Sequence, residues 1–254
     1  MNNTIKITTE SNRCTIFKRM CEYSIFGSYL SAPVPLTCGV NVLHGFDYGF
    51  YLSDFSNSSS ITSIDLSDFD TSKMSSMSFM FCHCSRLRDI DLSNFNTSNT
   101  FDMSHMFHFC LMDNINLQNF DTSRVRNFSG MFAGCSNLNT LDLSNFTSDN
   151  LYATHSMFMN CFNLKYINLS NLTARNLYNC VSMFDNCRRL EVLDLSKFNP
   201  EGIISARGMF YDCNSLRVIR CTEEFKNWCL NNKHKISLPS RIIEEKKFTW
   251  DIID

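Results

Sequence analysis

A short pattern, Met-Phe-x-x-Cys, recurs six times in this chain: Met80 to Cys84, Met106 to Cys110, Met131 to Cys135, Met157 to Cys161, Met183 to Cys187 and Met209 to Cys213. Successive cysteines lie 26, 25, 26, 26 and 26 residues apart. A fixed period of this size marks a chain built from stacked units, none of which can bury its apolar side alone.

Each copy carries more than the cysteine. Three residues on comes Leu87, Leu138, Leu164, Leu190 or Leu216, then an Ile/Leu-Asp/Asn-Leu triplet, then Phe95, Phe120, Phe146, Leu172 or Phe198. The second copy has lost one residue around 111–114. An upstream copy, Ile61 to Phe69, has Ser58 in the cysteine position and Asp54-Phe55 in place of Met-Phe, and reads as a degenerate first unit. Alternation in the triplet is that of a short strand. The following Phe turns inward at a corner, and Asp70-Thr71-Ser72 or Asp121-Thr122-Ser123 supplies oxygens for turn bonds. Behind the corner, apolar residues recur at threes (Met74, Met77, Met80; Val125, Phe128, Met131), a spacing that predicts a turn of α- or 3-10 helix.

The predicted architecture is an α/β repeat: a leucine-rich-repeat-like solenoid with one parallel sheet face, short helices or 3-10 turns on the other side, and atypical capping ends. It divides into an N-terminal cap over 1–53, six to seven units over 54–222, and a capping helix near Glu223 to Leu230 with an irregular tail over the rest of 223–254. The ends must differ from the middle because each exposes an unpaired edge.

The string Leu141-Asp142-Leu143-Ser144-Asn145-Phe146, followed by a Thr/Ser turn and Met157-Phe158-x-x-Cys161-x-x-Leu164, resembles the BspA-like leucine-rich-repeat proteins. These include bacterial surface proteins and lipoproteins. The likeness covers about residues 54–225, and implies a solenoid used in adhesion to host matrix proteins or in cell aggregation. Residues 1–53 do not match the repeat.

Thirteen cysteines raise disulfides and metals. Cys84, Cys110, Cys135, Cys161, Cys187 and Cys213 hold one repeat position and are expected as a reduced column facing the core, since free Cys packs as a small hydrophobe. Cys14, Cys21, Cys38 and Cys229 fall in the caps, and an odd total argues against a full disulfide framework. Cys82, His83, Cys84 and His108 approach a zinc recipe, but Cys84 belongs to the core column, so neither a metal nor a cofactor is expected. The outward triplet residues Asp65, Asp91, Asn116, Asp142, Asn168 and Asp194, followed by Arg220, form a second column. Stacked acids repel, and the expectation is that corner Ser, Thr and backbone N–H groups offset this; calcium binding is the rival reading.

A net charge of −2 excludes nucleic-acid binding through a general basic field. The start, Met1 to Thr8, lacks the charged and apolar regions of a secretory signal. No apolar run reaches the ~20 residues that span a bilayer. The expected location is the cell surface or secretion by resemblance, with the cytoplasm as the alternative. No Gly-rich phosphate loop, nucleophile elbow or His-Glu-x-x-His is present, and the six histidines fall at unrelated repeat positions. The expected function is non-enzymatic recognition of a protein partner, of adhesion or host-contact type. An intracellular scaffold is the alternative, and a glycan-acting enzyme a remote one. Lys165, Tyr166, Arg188, Arg189, Arg217 and Arg220 form the candidate binding surface, suited to an anionic protein or glycan.

Overall fold

The computed structural model describes residues 3–8, 61–173, 175–243 and 248–253. Expectations for Asp54, Phe55, Ser58, Cys14, Cys21, Cys38 and nearly all of 1–53 lie outside the described residues.

The fold is a parallel sheet with few helices. Strands β1 (Asn3–Thr8) and β2 (Ile61–Asp68) pair in parallel, with Ile5 beside Ile64. A five-stranded parallel sheet follows in simple order: β3 (Thr140–Asp142), β4 (Tyr166–Asn168), β5 (Val192–Asp194), β6 (Val218–Thr222) and β7 (Thr249–Ile253). Its register follows the repeat, with Leu141, Ile167, Leu193 and Ile219 side by side and buried. The tail, expected to be irregular, instead ends as β7, which places Trp250 beside Ile219.

Two predicted strands do not form. Ile90-Asp91-Leu92 and Ile115-Asn116-Leu117 carry the triplet, yet neither stretch is a strand. Both isoleucines are only partly buried, unlike their later equivalents. In sequence this region is set apart by the 25-residue second repeat. In later repeats the N–H groups of Lys165, Glu191 and Arg217 donate to Asn139, Glu191's predecessor Lys165, and Glu191 in turn, starting each new strand on the last. One residue fewer after Cys110 puts this step out of register, and Met112 takes the buried place that Leu holds elsewhere.

Opposite the sheet the sequence left short helices or 3-10 turns open, and turns are found. The threefold apolar spacing is met by consecutive turns in which Met80, Cys82 and Cys84 donate to carbonyls three residues back. The alternate N–H groups, of Met77, Phe79, Phe81 and His83, point up the stack to the carbonyls of Asp102, Ser104, Met106 and His108 at 2.6–2.9 Å. A helix would spend all these donors internally; here half of them join neighbouring repeats. The alternation needs a left-handed residue twice per repeat, four apart, as at Phe79 and His83, His105 and Phe109, Gly130 and Gly134, and Ser156 and Asn160. Parallel bridges Ser76–Asp102–Asn127–Ala153–Asn179–Ser205 continue this second ladder without a break.

Between the ladders lies the core. The pattern's phenylalanines, Phe81, Phe107, Phe132, Phe158, Phe184 and Phe210, stack with ring centroids 5.5–5.8 Å apart. Helix α1 (Glu223–Asn231) closes the C-terminal end. Thr222 Oγ1 accepts from the Phe225 N–H at 3.2 Å, Glu223 and Glu224 complement the positive helix start, and Phe225 packs edge-on against Phe198. A short helix α2 (Ser240–Ile243) precedes β7. Among the described residues no helix is long and apolar enough to cross a membrane.

Candidate functional site

Three surfaces merit comparison, and each follows from one repeat position. On the sheet face, Lys165, Tyr166, Arg217 and Arg220 are exposed, with Arg188 and Arg189 on the turn before β5. The structure brings acids to these bases. Arg217 pairs with Glu191 at 2.5 Å, Arg188 with Asp212 at 2.8 Å, and Arg220 with Asp251 at 3.6 Å and Asp194 at 3.9 Å. Arg188 also lies 5.3 Å over the Phe162 ring, and Arg189 donates to Asn163 Oδ1 at 3.2 Å. Five cations therefore sit among four carboxylates, and the field that would draw an anionic partner is largely cancelled. Exposed pairs of this kind contribute little stability, about 0–1 kcal/mol each.

The bridge ladder presents a column that reading the sequence missed. Nine residues before each pattern cysteine stand Ser75, Phe101, Arg126, Tyr152, Tyr178 and Ile204. Phe101, Tyr152, Tyr178 and Ile204 are 44, 42, 44 and 74% exposed, among the most exposed large apolar side chains of the described residues. Their backbones form one continuous chain: Phe101 N–H donates to Ser75, Arg126 to Phe101, Tyr152 to Arg126, Tyr178 to Tyr152 and Ile204 to Tyr178, at 2.9–3.1 Å. The Tyr152 and Tyr178 rings stack at 6.1 Å. The signal was available, because this repeat position mixes aromatic, aliphatic and cationic residues. Threefold helical spacing, taken as the frame for this side, obscured which residues face out.

The third surface gathers Cys82, His83 and His108. Cys82 and His108 hold the same repeat position, two before the pattern cysteine, so they stack directly. Cys82 Sγ lies 3.6 Å from His108 Nδ1, and one donor atom from each of the three residues falls within 4.8 Å of the others. His105 packs edge-on to His108, and Phe109 covers both His83 and His108. Burial and the neighbouring imidazoles hold His108 down to about 4, and burial pushes the Cys82 thiol up to about 11. His105 and His155 are lowered by burial too, and the Nδ1 atoms of both are buried without a hydrogen-bond partner. Cys84 faces the core, apart from this group.

The two columns singled out in the sequence are bonded throughout. Cys110, Cys135, Cys161, Cys187 and Cys213 each donate a thiol hydrogen to the carbonyl of Phe81, Phe107, Phe132, Phe158 and Phe184, one repeat below, at 2.9–3.1 Å. All ten described cysteines are free thiols. In the outward column, Asp65, Asp91, Asn116, Asp142, Asn168 and Asp194 each accept from the backbone N–H two residues on, at 2.9–3.2 Å. Bonds from Ser93 hold the Asp91 carboxyl below its ordinary value. A further asparagine column, also missed, ties corners together: Asn94, Asn119 and Asn145 side chains donate to Leu66, Leu92 and Leu117 carbonyls at 2.7–2.9 Å.

A family model described as "Mycoplasma protein of unknown function, DUF285" matches residues 52–168 and 137–238, together well over half the chain. Among solved structures, a leucine-rich repeat protein from Bacteroides ovatus ATCC 8483 is similar at 13% identity. That likeness covers 80% of this chain and 86% of that one, with a TM-score of 0.19, too low to bear on the fold. No curated protein matches.

Proposed function

This chain belongs to the DUF285 family, whose description assigns no activity, and we propose that it is a non-enzymatic recognition scaffold of the leucine-rich-repeat solenoid type, built to hold a protein partner. The observation that carries this reading is the exposed column Phe101, Arg126, Tyr152, Tyr178 and Ile204. A soluble surface normally scatters its exposed apolar groups singly. Here they are aligned on a hydrogen-bonded backbone that fixes their spacing, and aromatic residues and arginine are the types that anchor protein interfaces. A rigid array of this kind binds with little ordering cost.

Adhesion to a matrix protein is the finer form of this proposal and rests on the BspA-like resemblance. An enzyme reading finds little support in the described surface. The groove between the last repeat and α1, lined by Glu201, Glu224, Asn227 and Trp228 among others, holds two glutamates that are both exposed on an open surface rather than walled from water.

The test is capture from matrix and cytosolic protein mixtures by three forms of the full chain. One is wild type, one carries Phe101, Tyr152, Tyr178 and Ile204 all changed to Ser, and one carries Lys165, Tyr166, Arg189 and Arg217 changed to Ala. Serine is the residue Ser75 already places at the first column position, so the scaffold accommodates it. Loss of a specific partner in the serine form alone supports the column. Loss only in the alanine form moves the site to the sheet face, and no capture by wild type sinks the recognition reading. A matrix partner supports adhesion; a purely cytosolic one replaces it with an internal scaffold.

A further inference from the structure

We propose that Cys82, His83 and His108 form a binding site for a zinc-class transition-metal ion, with the sulfur and one nitrogen of each imidazole as three ligands and a fourth position left to water. The sequence assigned Cys84 to the core and therefore expected no metal; Cys84 is buried in the core, yet Cys82, His83 and His108 come together without it.

Geometry is the first argument. A tetrahedral ion with bonds of about 2.3 Å to sulfur and 2.0–2.1 Å to nitrogen separates those two donors by about 3.5 Å. Cys82 Sγ and His108 Nδ1 are 3.6 Å apart, a distance that suits a hydrogen bond to sulfur and is also close to that edge. A donor from His83 lies within 4.8 Å of both, so small rotations of a partly exposed ring complete a face. His83 reaches this place because its backbone is left-handed, with φ of 60°. The ladder fixes that conformation: the His83 N–H donates to the His108 carbonyl at 2.6 Å. The two repeats are thus held in register at the ligands themselves.

Chemistry is the second. A thiol and two imidazoles suit zinc-class ions and not calcium or magnesium, which take oxygen ligands. An entering ion displaces the Cys82 thiol proton to solvent and takes one ring nitrogen from each histidine. Phe109 and His105 wall the group and limit water around it. The site belongs to this pair of repeats alone. Above His108, the same repeat position holds Ala133, Met159, Asp185 and Tyr211, so no later neighbouring pair stacks an imidazole on a thiol.

The later repeats also supply the substitutions for a test. Ala133 stands at the Cys82 position and Asn160 and Asn186 at the left-handed His83 position, so Cys82→Ala and His83→Asn keep the local backbone. Untagged, chelator-treated full-length protein would be titrated with Co2+ and then Zn2+, following the near-ultraviolet thiolate-to-cobalt charge-transfer band. One equivalent is expected to produce that band with tetrahedral visible absorption, and Zn2+ to bleach it. Cys82→Ala is expected to abolish the band, and His83→Asn and His108→Ala each to weaken Zn2+ at least about tenfold, by analogy with ligand-shell losses of 10–100-fold. Melting curves of the metal-free variants check that they fold. Absence of the band in wild type, or Zn2+ affinity unchanged in folded Cys82→Ala, would overturn the site.

Discussion

The repeats before β3 and those from β3 onward share one sequence pattern but not one sheet. Around Ile90 and Ile115 the triplets stay unpaired as strands, while from Thr140 to Ile253 five strands align in parallel. The turn ladder and its bridges run through both regions without interruption. The phenylalanine stack does so too, with nearly the same spacing at Phe81–Phe107 as at Phe158–Phe184. The difference shows that the two sides of a repeat are held separately. The turn side keeps its ladder across the missing residue after Cys110, because the turns around Met-Phe-x-x-Cys carry their own inter-repeat bonds.

The sharpest way to test this separation is to truncate equivalent residues in the two regions. Ile167→Ala, at a fully buried strand centre, should cost about 2–5 kcal/mol in urea unfolding, whereas Ile115→Ala, half-buried and unpaired, should cost about 1 kcal/mol. Equal losses would mean that the early triplets are packed like the late ones.

Glycines provide the next contrast. A Cβ on Gly130 would meet the His105 ring at 2.3 Å, and one on Gly208 would find Ser182 Oγ only at 3.5 Å, although both residues are left-handed. Gly130→Ser should therefore cost about 2–3 kcal/mol and Gly208→Ser about 1 kcal/mol. His105→Ser combined with Gly130→Ser should recover most of the difference, read as a coupling in a double-mutant cycle. No coupling would show that His105 swings aside freely.

Restoring the lost residue is a smaller perturbation with a local readout. One Asn inserted between Leu111 and Met112 returns the second repeat to 26 residues and sets Met112 in the place of Leu138. Amide exchange at residues 115–117 should slow as the sheet extends toward the N-terminal side, with global stability changing by under about 1 kcal/mol. Unchanged exchange would trace the missing strands to something other than register.

The smallest effect is on pH. His105 and His108 lie before the five-stranded sheet and His155 between its first two strands, and all three have lowered values in the fold. Unfolded histidine titrates near 6.5, so between about 6.5 and about 4 the unfolded chain binds more protons than the folded one. Stability contributed by these rings is full above pH 6.5 and falls as the pH drops toward 4. With chelator present, exchange in the 76–133 segment should rise before that in 166–220 on acidification. Simultaneous loosening of both regions would contradict this.

Much of the molecule was legible in its sequence because its core is a repetition. A residue type that returns every 26 positions must face the same neighbours each time, which is why the cysteine, phenylalanine and triplet columns could be read directly. What periodicity could not decide was the backbone behind it. Threefold apolar spacing suits helix and serial turns equally, and only the contact between repeats, which draws every second N–H up the stack, selects turns. That same selection decided which side chains at positions such as Tyr152 and His83 face outward. The sheet-face cations looked like a patch because their acids, Glu191, Asp212 and Asp251, come from other repeats or from the tail. The sequence by itself determined the period, the core columns and the order of the repeats. Tertiary structure alone decided the turn ladder, the paired charges, the closing strand β7 and the meeting of Cys82, His83 and His108, since each depends on which groups of different repeats compete for the same hydrogen bond or space.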